Sequence, residues 1–184
     1  MRIYDQIIGA CWLAFIVVWL ALSLAGVRGP RRYSPSRSAL RLLLAVVLVL
    51  ALRFGDRVPT LMFGHLTGDV AAAGCALCVI GVAFAIWARI TLGRNWGMPM
   101  ALHDQPELVT SGPYAYVRHP IYTGVLTMFI GTSFVYPLAT VSCAIIFAYF
   151  VFSARREERD MERQFPETYP AYKKRSKMLV PFLL

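Results

Sequence analysis

Residues Ile121–Phe152 read IYTGVLTMFIGTSFVYPLATVSCAIIFAYFVF, thirty-two positions without a formal charge. As one straight helix this run would be about 48 Å long, against a hydrocarbon core of ~30 Å. It is too long for one crossing and right for two short ones. Tyr136-Pro137 supplies the break, because proline cannot continue the hydrogen-bond ladder and restricts the residue before it. Two helices, over 121–136 and 138–153, are therefore expected as a hairpin. Each outer end of that hairpin carries a polar cluster. Upstream lies Leu108-Val-Thr-Ser-Gly-Pro-Tyr-Ala-Tyr-Val-Arg118-His119-Pro120, and downstream Arg155-Arg156-Glu157-Glu158-Arg159.

Three more apolar runs precede the hairpin. Ile7–Ala25 is long enough to cross. Arg28, Arg31 and Arg32 follow it without a small-x-small cleavage site, so it reads as an uncleaved span and not a signal peptide. Leu42–Leu52 is short, but Arg41 and Arg53 can snorkel, which gives a second span over 40–53. Val70–Ile90 is a third, over 70–91, rich in the Ala and Gly that permit close helix contact.

Charge decides the topology. With five spans, sixteen Lys/Arg fall on the side of the C-terminus, leaving Arg2, Arg53 and Arg57 on the other. By the positive-inside rule the N-terminus is then outside and the tail cytoplasmic. Merging the last two spans would place the basic tail outside. The expected fold is an all-α, polytopic membrane bundle of about five helices with a cytosolic helical tail. Residues 1–184 form one domain, and 93–120 and 154–184 are its cytosolic, cofactor-binding segments. Both polar clusters then share one face, as in a multi-pass protein of a prokaryotic inner membrane.

Composition agrees. The chain is 58% hydrophobic and 16% charged, unlike an ordinary soluble domain. Its net charge of +9 lies between apolar runs and not on a soluble basic face, so nucleic acid is not expected as a partner. Cys75-x-x-Cys78 has metal or redox spacing, yet His65, His103 and His119 are far off in sequence. The four cysteines therefore read as packing residues, with no metal site.

The upstream cluster has the chemistry of a site. A helix starting at Pro120, with His119 as its boundary residue, presents unpaired N–H groups and a partial positive charge beside Arg118. That suits a carboxylate or phosphate. Gly124, one turn on, leaves room for a ligand or a neighbouring helix. The competing reading is interfacial anchoring by Tyr and Arg. Downstream, Glu157 and Glu158 lie about 100° apart on a helix, so one can face inward. A solvated, salt-bridged helix end is the bland alternative there, and placement opposite Arg118-His119 favours function.

These residues carry a resemblance. Leu108-Val-Thr-Ser-Gly-Pro-Tyr-x-Tyr-Val-Arg-His-Pro-Ile-Tyr-x-Gly124, then Glu157-Glu158, then Phe165-x-x-x-Tyr169-x-x-Tyr172-Lys173, resembles the isoprenylcysteine carboxyl methyltransferases, which are related to phospholipid N-methyltransferases. The resemblance runs from Arg89 to Pro181 and implies S-adenosylmethionine as methyl donor. Carried over by position, the cofactor contacts are Leu108, Val109, Tyr114, His119, Pro120, Ile121, Tyr122 and Glu157, with Glu107 adjoining and Gly124 one turn on. The resemblance also implies a lipophilic acceptor: a membrane lipid or a lipidated or lipophilic small molecule, without an obligatory protein partner. Two features depart from the pattern. An arginine expected one turn before Glu157 is Ser153, with Arg155 and Arg156 nearby as candidate substrate contacts. Phe165-Pro166 and Met161 replace a common Phe-Gly and Leu.

A sulfonium donor is already activated, so the protein mainly aligns the acceptor and excludes water. A carboxylate or phenolate needs no strong base, whereas a protonated lipid amine does. His119 and Glu158 are the candidates for that base, and with Arg118 they form the expected catalytic set. A nicotinamide-dependent sterol-reductase-like enzyme and a non-enzymatic scaffold are the rival readings. The first shares a Gly-Pro-Tyr…Arg-His-Pro-x-Tyr segment but lacks the Glu-Glu pair. The second gives no reason for Arg118, His119 and Glu157 to converge.

Overall fold

A computed structural model describes residues 2–25, 68–93, 107–137 and 139–180. The expected span over 40–53 lies outside the described residues. Five α-helices are described: α1 (Arg2–Ala25), α2 (Gly68–Leu92), α3 (Pro120–Ser133), α4 (Ala139–Gln164) and α5 (Tyr169–Arg175). A 3-10 turn, Gly112–Ala115, precedes α3. Among the described residues there is no strand, and one isolated parallel bridge joins Val117 to Lys177. The architecture is all-α, as the apolar periodless runs require.

Three of these helices are long and apolar enough to cross a membrane: α1 over Ile3–Leu22, α2, and α4. Only 6% of α4's apolar window is buried inside the protein, so its Val141, Ile145 and Phe152 are left for lipid. Helix α3 has 14 residues and spans about 21 Å, less than the ~30 Å core. It ends three residues before Tyr136, and the turn 134–137 leads into α4. Helix α4 continues eleven residues past 153, carrying the charged segment as an uninterrupted extension.

The tightest contact is the antiparallel pair α2–α3, and its cause is glycine. Gly74, Cys78, Gly81 and Ala85 form one stripe of α2, and Gly124, Met128 and Gly131 one stripe of α3. A Cβ at Gly81 would lie 2.7 Å from the Gly124 carbonyl oxygen and 2.7 Å from Met128 N. One at Gly124 would lie 2.7 Å from Ala85 N. Only a missing side chain lets the two backbones approach so closely, the small-xxx-small device of membrane helices.

Helix α1 packs parallel to α2. Tyr4 sits by Cys75 near their N-termini, and Arg89 lies over the Trp19 ring 6.0 Å away near their C-termini. Trp12 links α1 to α3 by donating from Nε1 to Thr132 Oγ1 (3.1 Å), with its ring 5.0 Å from that of Phe129. At the hairpin end, the Tyr136 hydroxyl donates to Asp5 Oδ1 (2.8 Å). The shared core contains Ile8, Trp12, Cys75, Cys78, Val82, Val125, Met128 and Phe129. Cys75 and Cys78 are thus buried packing residues on the α2 face that meets α1 and α3.

Candidate active site

At the opposite end from Pro137, the start of α3 meets the emerging half of α4. His119 is the boundary residue (φ −123°, ψ 59°), and Pro120 takes the first helical position. Proline suits this place because its absent N–H would be unpaired there anyway. The first-turn N–H groups of Ile121 and Tyr122 are beyond the reach of intrahelical acceptors. Ahead of them the 3-10 turn needs Gly112 at φ +58°, a left-handed conformation that side chains resist.

Six basic or acidic side chains converge here: Arg118, His119, Glu157, Glu158, Glu162 and Lys173. Arg118 Nε donates to Glu158 Oε1 at 2.6 Å, and both side chains are nearly buried. Lys173 Nζ reaches Glu158 Oε2 at 3.1 Å and Glu162 Oε1 at 2.9 Å. His119 lies between the two glutamates, its Nδ1 3.5 Å from Glu157 Oε2 and its Nε2 3.6 Å from Glu158 Oε1. Nε2 is buried and has no hydrogen-bond partner among the described residues. The Tyr122 hydroxyl donates to Glu157 Oε1 at 2.5 Å, leaving that carboxylate half-exposed. His119, Tyr122 and Phe150 form a near-parallel ring stack, with centroids 5.5 and 4.3 Å apart.

The glutamates divide as helix geometry allows. Ala154 and Glu158, four apart, share the buried face of α4, while Glu157 is exposed. Burial alone would raise the Glu158 pKa. The nearby His119 imidazole, with Arg118 and Lys173 at hydrogen-bond distance, outweighs it and holds the carboxyl at about 2. Burial would lower the His119 pKa, yet the two glutamates outweigh that and raise it. Burial pushes Tyr114 and Tyr169 up, and Tyr172 to about 12, so these phenols stay neutral.

The tail completes the corner. The Arg118 backbone N–H donates to Lys177 O (2.7 Å), and that of His119 to Met178 O (3.1 Å). Thr123 Oγ1 donates to Leu179 O at 2.5 Å. The Arg118 guanidinium also donates from Nη1 to the carbonyls of Lys173 (3.2 Å) and Ser176, capping the C-terminal end of α5. Tyr172 donates to the Tyr114 carbonyl (2.7 Å), tying α5 to the 3-10 turn.

Of the residues expected from sequence, Arg118, His119, Tyr122, Glu157 and Glu158 are brought together, with Pro120 and Ile121 in the adjoining helix turn. Tyr114 is buried behind them. Glu107 and Leu108 instead line an open pocket of about 560 Å³ with Phe165, Thr168, Tyr172 and Arg175. Val109 is half-buried beside it in sequence. The space at Gly124 is filled by the α2 backbone, so the neighbouring helix takes the approach. Arg155 and Arg156 are exposed and do not enter the cluster. Ser153 is half-buried and within reach of the Tyr122 hydroxyl. The sequence reading gave no role to Lys173, Glu162, Thr123, Phe150 or the segment 176–179. Their only signal was Lys173's place at the end of the quoted motif.

This arrangement, a polar corner at the mouth of an apolar hairpin, is that of a helical membrane protein with a candidate site at the bilayer surface. A family model described as phospholipid methyltransferase matches residues 70–168, more than half of the chain. The chain is 31% identical over 157 residues to a probable protein-S-isoprenylcysteine O-methyltransferase of Oryza sativa subsp. indica, covering 79% of this chain and 82% of that one. It is 34% identical over 121 residues to the protein-S-isoprenylcysteine O-methyltransferase of Rattus norvegicus, covering 62% of this chain and 42% of the rat protein. The chain thus spans less than half the length of the rat relative. The solved structure of a eukaryotic intramembrane Ras methyltransferase, isoprenylcysteine carboxyl methyltransferase, superposes with a TM-score of 0.58. That likeness is one of fold, at 24% identity over 83% of this chain and 55% of the other. The chain belongs to this family of integral membrane methyltransferases, as the Arg-His-Pro and Glu-Glu motifs led one to expect.

Proposed function

We propose that this protein transfers a methyl group from S-adenosylmethionine to an oxygen of a lipophilic acceptor at the membrane surface. The observation that carries the reading is the convergence of His119 and Tyr122 from α3 with Glu157 and Glu158 from α4. The residues present fit such a donor. A buried imidazole nitrogen without a hydrogen-bond partner, a half-exposed carboxylate and the open N–H groups of a helix start suit a molecule bearing both a carboxylate and an amine. His119 and the N–H groups of Ile121 and Tyr122 would hold the carboxylate, and Glu157 the ammonium or ribose hydroxyls. Leu108, Val109 and the tyrosine rings would enclose the adenine. When bound, the donor supplies an activated methyl group.

The protein's own task is alignment and exclusion of water. Glu158, ion-paired and held at about 2, is a poor proton acceptor, and His119 is flanked by two carboxylates that favour its protonated form. Neither is suited to deprotonate a lipid ammonium. An acceptor that arrives as a carboxylate, phenolate or enolate needs no such help, so oxygen acceptors fit better than amines. Ser153, where the motif expects arginine, favours one other than a prenylated cysteine carboxylate.

We place the protein in the membrane with five crossings, the N-terminus outside and the site on the cytoplasmic face. The parallel run of α1 and α2 and the antiparallel hairpin α3–α4 support that topology, and a cytoplasmic membrane of a prokaryote suits it. Cofactor then arrives from the cytosol and acceptor from the bilayer, at their boundary.

Calorimetry of the detergent-solubilised protein with S-adenosylhomocysteine tests the donor. Binding is expected, and His119→Ala and Glu157→Ala each weaken it by about tenfold or more. Unchanged affinity in both variants sinks the site assignment. Incubating membranes with methyl-labelled donor identifies the acceptor, and a labelled amine lipid would overturn the preference for oxygen.

A further inference from the structure

Helix α5 and the segment behind it complete the corner from beyond residue 168, where the family match ends. Glu158 is shared among three basic side chains. Oε1 takes Arg118 Nε at 2.6 Å and faces His119 Nε2 at 3.6 Å, and Oε2 is held by Lys173 Nζ at 3.1 Å. Lys173 is itself steadied by Glu162 at 2.9 Å. Its carbonyl also accepts from Arg118, so one residue contacts both partners of the Arg118–Glu158 pair. Behind it the chain runs beside 116–119. Lys177 N–H donates to Tyr116 O (3.2 Å), while Lys177 O and Met178 O accept from Arg118 and His119.

We propose that Lys173 is a positioning residue of the methyl-donor site, acting through Glu158 on His119, with residues 176–179 as the strap that fixes its helix there. The inference rests on the functional reading above and deepens it. Lys173 takes one carboxylate oxygen so that the other stays on the Arg118–His119 side. A carboxylate with one oxygen unheld could rotate and let the imidazole drift from the donor. No contact of Lys173 with donor or acceptor is involved, and its ammonium remains partly solvent-exposed. The effect of Lys173 is therefore carried by geometry and charge at its neighbours.

Three variants of the full-length protein test this: Lys173→Met, Lys173→Arg and, as a control on the same helix, Lys174→Met. S-adenosylhomocysteine binding and Tm are measured on the same detergent samples, and the His119 imidazole is titrated by NMR with labelled histidine, assigned through His119→Gln. Lys173→Met is expected to bind about tenfold more weakly, as for loss of other groups that orient a ligand-binding histidine. Lys173→Arg restores most of the affinity, and Lys174→Met leaves it unchanged. In Lys173→Met the His119 titration midpoint moves upward, because a neighbouring cation is lost, while His65 and His103 stay put. A binding loss that follows Tm alone without rescue by arginine, or a His119 midpoint that does not move, overturns the proposal. If the parent protein binds no S-adenosylhomocysteine, the donor reading fails, and the His119 titration still decides Lys173's role.

Discussion

Glu158 is a nearly buried carboxylate surrounded by Arg118, Lys173 and His119, and such a group couples stability to pH. Its pKa falls from the ordinary 4.5 to about 2. The stability it contributes is therefore full above 4.5 and is lost as pH falls toward 2. Glu158→Gln is expected to lower Tm at neutral pH and to flatten the acid limb of a Tm–pH profile in detergent. A variant as acid-sensitive as the parent would contradict this. His119 works in the other direction. Its pKa is raised above 6.5, so its contribution is full below that value and fades as pH rises through the raised one. His119→Gln should remove that alkaline decline. Arg118→Ala leaves Glu158 short of a partner and the end of α5 uncapped, with an expected cost of about 3 kcal/mol by chemical denaturation.

At the scale of elements, the α2–α3 contact has the least tolerance. Gly81→Leu would drive a side chain into the Gly124 carbonyl and Met128 N, whereas Gly9→Ala on α1 meets nothing within 4 Å. The first should lower Tm sharply, with overpacking costs of about 1–3 kcal/mol or more. The second should be neutral or slightly stabilising, since alanine is the better helix former by about 1 kcal/mol. Equal Tm values for the two would refute backbone-to-backbone packing there. The proline break was legible because both of its effects are local: a missing donor and a restricted neighbour. The partner of Gly124 was not, because a one-residue gap in a stripe fits a ligand and a helix equally well. The residues that Gly124 meets, Gly81 and Ala85, are far from it in sequence and reach it only on packing.

At the largest scale, the polar contacts among the described residues gather at two ends. Asp5 and Tyr136 mark one, and the His119–Glu158 corner the other. In the proposed orientation the second end is cytoplasmic. Lys174 is exposed there, so Lys174→Cys should react with a membrane-impermeant maleimide in inside-out vesicles and not in right-side-out ones. The opposite pattern would invert the topology while leaving the site geometry intact. Cys11, Cys75 and Cys78 are buried and give little background.

The sequence alone determined that this is a helical membrane protein, where its last hairpin breaks, and that Arg118-His119 and Glu157-Glu158 face one another. Apolar length, absence of charge and proline stereochemistry act within a few residues, so they can be read along the chain. Only the tertiary structure decided which glutamate is buried, that Arg118 caps α5 while pairing with Glu158, and that Lys173 and residues 176–179 pack against Arg118, His119 and Glu158. Those outcomes depend on the angle at which α4 passes the start of α3 and on where the tail returns. They are fixed by contacts between residues far apart in the chain, such as Arg118 with Glu158 and the Arg118 N–H with Lys177 O, which no local pattern contains.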